Sequence, residues 1–140
     1  MDQAERIELF YKQLYQNEFI RTHAFERYRF GNQEFFACAS TLKGKNGREI
    51  TVSFNIHDDY PDEVELVMQF LNQCSLEQLR IVGEDIAKTT GKDINVYEEP
   101  DCISMVSYFD IDDVEGVIQM FMLTLERITK VVFFVIKPEN

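Results

Sequence analysis

The sequence predicts an α+β fold: an antiparallel sheet of five to six strands with flanking helices, in the order α-β-β-β-(β)-α-β-β-α. Three observations predict it. Apolar residues recur at three and four near the start, in the middle and toward the end of the chain. Between those helical stretches the period falls to two, most cleanly from Arg48 to His57. The switches between periods coincide with capping residues and turn dipeptides.

The first helix is expected over residues 3–18, with Ile7, Phe10, Tyr11, Leu14 and Tyr15 along one face and a capping box of Asp2 with Glu5. Phe25 to Phe30 reads as a strand, Gly31-Asn32 as a tight turn, and Glu34 to Leu42 as a second strand. Asn46-Gly47 supplies the positive φ angles of a short hairpin. In the third strand Ile50, Val52, Phe54 and Ile56 point inward and Thr51, Ser53, Asn55 and His57 outward. Val64 to Leu71 is expected as a fourth strand, though VELVMQFL also admits a helical reading, and DDYPDE is the turn before it. Ser75 and Gln78 cap a second helix over 76–90, which Gly91 stops. Asp93 to Tyr97 and Cys102 to Phe109 form a strand pair around EEPD. Asp112 with Glu115 is the expected cap of a last helix reaching as far as Ile136, unless VVFFVI finishes as an edge strand.

A chain of 140 residues fits one domain, which buries roughly 65–70% of its unfolded surface. The composition, 45% apolar with twelve Phe, supplies a core and excludes a disordered chain. The formal charge of −11 is concentrated in residues 51–140, which hold six Lys/Arg against eighteen Asp/Glu. Such a field repels phosphates and anionic lipid, so neither nucleic acid nor membrane is an expected partner. Three cysteines, Cys38, Cys74 and Cys102, without a CxxC pair, argue against a disulfide framework and for a reducing cytoplasm. MDQAERIELF is unlike a signal peptide, and no stretch nears ~20 uncharged apolar residues.

The element order and the stretches KGKNGREITVSFNI, SLEQLRIVGEDIAKTTG, INVY, CISMVSYFDI and DVEGVIQMFMLTLERI resemble the type III secretion chaperone-like fold, seen in secretion chaperones and in the YbjN-like family, described as bacterial sensory transduction regulators. The resemblance covers nearly the whole chain and is architectural, so no catalytic residue is carried over. It implies a non-enzymatic, often dimeric module that binds another polypeptide or serves a regulatory role. The fourth strand departs from the three-strand run of secretion chaperones and favours the YbjN-like side.

For chemistry, FNIHDDYPDE is the stretch to weigh. His57 and Asp59 lie on one side of an extended strand, and Asp62 or Glu63 across the turn offers a third ligand of a type suited to zinc or manganese. That supports an alternative reading as a metal-dependent hydrolase or metal sensor. The competing explanation, a hydrated turn outside a sheet, is preferred, and no cofactor is called for. DIDDVEG fails the calcium-loop pattern, GKNGRE lacks phosphate-loop spacing, and no cysteine has a nucleophile motif. A small-ligand sensor with a pocket between helix and sheet is a third possibility. The last helix is apolar on more than one face, and Met120, Leu123, Phe133 and Phe134 are the candidates for a homodimer interface or a polypeptide client surface.

Overall fold

The computed structural model describes residues 1–44, 49–71, 75–132 and 136–138. The hairpin dipeptide Asn46-Gly47, Cys74 and the candidate interface residues Phe133 and Phe134 lie outside the described residues. The elements are α1 (Gln3–Leu14), β1 (Glu26–Phe30), β2 (Gln33–Gly44), β3 (Glu49–His57), β4 (Glu63–Phe70), α2 (Leu76–Thr90), β5 (Asn95–Glu98), β6 (Ile103–Asp110), α3 (Val114–Val132) and β7 (Ile136–Pro138). This is the predicted α+β order with its fourth strand present.

The strands form one antiparallel sheet in the order β1-β2-β3-β4-β6-β5, and β7 joins by pairing with Leu42, Lys43 and Gly44 of β2. β1 pairs with the first part of the same strand, from Gln33 to Ala37. β6 returns through a hairpin from β5 and inserts beside β4, leaving β5 at the edge.

Strict alternation in β3 and β4 gives the sheet two unlike faces. Ile50, Val52, Phe54 and Ile56, with Val64, Leu66, Met68 and Phe70, are buried. The helices lie on that face. Phe10 of α1 meets Phe54 edge-on at 6.4 Å between ring centroids. On α2, a methyl added at Gly83 would sit 3.2 Å from a Val96 methyl, so this glycine lets the helix close on β5. On α3, Met120 and Thr124 join Leu66, Met68, Ile94 and Met105 around a void of only about 10 Å³. Side chains therefore fill the space between α3 and the sheet at this point. Thr124 remains satisfied there by donating its hydroxyl proton to the Met120 carbonyl at 2.7 Å. Among the described residues, no helix is long and apolar enough to cross a membrane.

Several expected boundaries move for physical reasons. α1 ends at Leu14 instead of residue 18 because the chain tightens: Gln16 N–H bonds the Gln13 carbonyl and Asn17 N–H that of Leu14. The Asn17 side chain then accepts from Phe19 N–H at 2.9 Å, and this turn carries Ile20 into the core at 1% exposure. The cap of α3 is Asp113, whose Oδ1 accepts from Gly116 N–H at 3.1 Å, instead of the expected Asp112 with Glu115. With glycine three residues on, no reciprocal side chain completes a box. The last helix is described as far as Val132, and Ile136, which it was expected to reach, belongs instead to the strand β7. α2 keeps its predicted bounds, with the Ser75 and Gln78 box formed in both directions and Gly91 at φ 73° as a left-handed stop.

Candidate functional site

His57 ends β3 on the outward face, as the alternation requires, and the register determines what it meets. Phe35 of β2 lies directly opposite, with ring centroids 5.3 Å apart, and Tyr28 of β1 stacks on Phe35 at 5.8 Å. On the other side, β4 brings Glu65, whose Oε1 is 3.6 Å from His57 Nε2 and accepts from Asn55 Nδ2 at 3.0 Å. β6 then brings Tyr108, opposite Glu65, whose hydroxyl donates to Glu65 Oε2 at 3.1 Å. Burial, then the Glu65 charge, pushes the Tyr108 phenol up from 10.0 to about 12. His57, Asp59, Glu63, Glu65 and Tyr108 line a cleft of about 410 Å³.

The turn after β3 distributes its carboxylates in different directions. Asp58 forms a two-pronged pair with Arg27, at 2.8 and 3.1 Å, and this guanidinium holds the Asp58 carboxyl below its ordinary range. Asp62 pairs with Arg6 of α1, and its carbonyl accepts from Ile111 N–H at 2.8 Å. His57 and Asp59 therefore share the cleft, while the side chain of Asp62 is tied to α1. Among the described residues no group of three or more His, Cys, Asp or Glu is placed to hold a metal ion. The two described cysteines offer no ready thiolate: burial pushes Cys38 up to about 12, and burial together with Glu99 raises Cys102. The cleft has the means to hold a hydrogen-bond donor or a small cation.

The larger concavity runs along α3. It measures about 1270 Å³ and is lined by Phe19, Phe109 and the α3 residues Met120, Met122, Leu123 and Leu125, with Thr89 and Thr90 from the end of α2. Its polar lining carries the cap Asp113, Glu115, Gln119 and Glu126 from the exposed face of α3, and Lys92, whose ammonium sits 5.2 Å from the Phe109 ring centroid. Helical spacing explains the arrangement. Val117, Phe121 and Ile128 occupy the fully buried stripe, so Met122 and Leu123 fall on its two opposite flanks and are only partly covered.

Of the four expected interface residues, Met120 is buried at 3% exposure and belongs to the core as well as the groove floor. Leu123 is half-buried on the groove wall. Phe133 and Phe134 lie outside the described residues. Sequence reasoning did not find Phe19, Phe109, Glu65 or Tyr108 as site residues. Its one relevant signal was the apolar excess of the last helix, which includes Met122. No family model matches the chain, and no curated protein or solved structure matches it significantly.

Proposed function

We propose that this chain is a non-enzymatic binding module, chaperone-like or regulatory, that holds a segment of another polypeptide in the groove along α3. The observation that carries the reading is the groove itself. From residue 113 to residue 129 its α3 wall spans about 24 Å at ~1.5 Å per residue, and its volume exceeds the ~300–1,000 Å³ usual for small-molecule pockets. The partly covered Met122 and Leu123 supply adaptable apolar contact. The resemblance to YbjN-like and type III secretion chaperone-like proteins supports the same class of function, and the unbridged Cys38 and Cys102 suit a reducing cytoplasm. A photo-crosslinker at Gln119, on the groove margin, tests it in the source cell. Protein adducts at Gln119 and none at Arg80 are expected; equal yields at both positions, or none at either, would reject the groove as a polypeptide site.

Self-association belongs to the same proposal, and one observation favours a surface for it. Across the outward face of β2, β3 and β4, the rows Ala39–Ser53–Val67 and Thr41–Thr51–Gln69 carry no charge, and Val106 and Ser104 beyond them are buried. Two copies of a chain with net charge −11 meet there without opposing like charges. Light scattering should give a dimer mass, and Ser53→Lys should shift it toward the monomer; a monomer at all concentrations would remove the homodimer from the reading.

A further inference from the structure

We infer that the segment taken by the α3 groove is an amphipathic helix with lysine or arginine flanking its apolar stripe, an inference that rests on the groove being a polypeptide site. Charge gives the first argument. Among the described lining residues, the charged groups are the carboxylates of Asp113, Glu115 and Glu126 and the ammonium of Lys92. Asp113 caps the start of α3, and Glu115 and Glu126, eleven residues or about three turns apart, share one line along the exposed face of the helix, between Met122 and Leu123. A partner whose apolar residues reach Met122 or Leu123 must place one of its own flanks beside that line. Cationic flanks are attracted there and anionic flanks repelled, most strongly once the interface excludes water.

Geometry gives the second. The long wall of the groove is a helix, and its surface is a set of side-chain ridges. A helix laid beside it fills such a surface with residues at i, i+3, i+4 and i+7 while keeping its own backbone hydrogen bonds. An extended segment gains a ladder of main-chain hydrogen bonds from the protein only at a free strand edge. Among the described lining residues the sheet contributes Phe109, whereas α3 contributes from Glu115 to Thr129.

The test is a display selection on the full chain with two libraries of 18-residue amphipathic helices. They share randomised apolar positions and differ only in having Lys/Arg or Glu flanks. Enrichment of the cationic library by about tenfold or more over the anionic one is expected. The best cationic peptide, followed by fluorescence anisotropy, should bind Glu115→Lys about five- to tenfold more weakly than the unaltered chain. This exposed site can be changed without entering the core, and circular dichroism verifies the fold. Leu123→Ser should weaken both peptide classes. Equal enrichment of the two libraries, or a Glu115→Lys chain that binds the cationic peptide unchanged, would overturn the charge inference and leave the polypeptide site standing. Failure of both libraries to enrich would overturn the two together.

Discussion

Replacing Met120 by alanine separates a core residue from a surface one. Met120 is 3% exposed and packs with Leu66, Met68 and Met105 around a void of about 10 Å³, so the truncated site has little slack to absorb the loss. Removing the end of the side chain forfeits about 2 kcal/mol of transfer free energy at ~0.8 kcal/mol per buried methylene-sized group. An unrelaxed cavity of about 50 Å³, at ~24 cal/mol per Å³, adds about 1 kcal/mol. The expected cost of about 3 kcal/mol lowers Tm by roughly 10 °C in a domain of this size. Leu123→Ala, at a half-buried position, should cost about 1 kcal/mol. Urea unfolding followed by circular dichroism at two protein concentrations measures both. A Met120→Ala loss below about 1 kcal/mol that also grows on dilution would refute the core assignment, because concentration dependence is the mark of an intersubunit contact.

Cys38 keeps its proton up to about pH 12, so thiol reagents at pH 8 should modify it only at the rate of unfolding. Because its folded pKa is raised from 9.0, its contribution to stability is full below pH 9 and is lost as pH rises toward 12, a window that a Cys38→Ala chain should narrow in pH-dependent urea melts. Tyr108 should ionise near pH 12 in an ultraviolet titration, and Glu65→Gln should bring it down by removing the adjacent negative charge; its raised pKa likewise stabilises the fold below pH 10 and ceases to do so between 10 and 12. Asp113→Ala leaves the first turn of α3 uncapped and should lower stability by about 1 kcal/mol, read as a lower urea midpoint with an unchanged slope.

The sequence made the middle of the molecule most legible. In β3 and β4 one residue in two is apolar without interruption, and only a half-buried strand satisfies that period, so the inward and outward sets followed directly. α2 could be read to the residue because a reciprocal box opens it and a left-handed glycine closes it. The ends of the other helices were less determined. Gln16, Asn17 and Glu18 continue a helix pattern on composition, yet Ile20 must turn inward, and tertiary burial outweighed propensity. At α3 two adjacent aspartates compete to cap. Asp113 prevails, and Gly116 supplies the N–H its side chain accepts from.

The surroundings of His57 were illegible for a different reason. Its neighbours Glu65 and Tyr108 lie on other strands and become neighbours only through register. The order of strands along the chain is compatible with β5 or β6 lying beside β4, and the hydrophobic pattern does not choose between them. Once β6 inserts, Tyr108 faces Glu65, and that carboxylate receives Asn55 and Tyr108 as hydrogen-bond donors beside the imidazole. The same crowding of the helices on one face separates two acidic regions that look like a single excess in the sequence. Asp59, Glu63 and Glu65 border a small polar cleft, whereas Asp113, Glu115 and Glu126 border a large apolar groove. Charge beside apolar surface discriminates between partners, since it offers a cationic flank a contact that a neutral greasy segment cannot make. In the proposed polypeptide site this charge would serve the selection of a partner, and Glu115→Lys isolates that contribution while leaving the apolar wall intact.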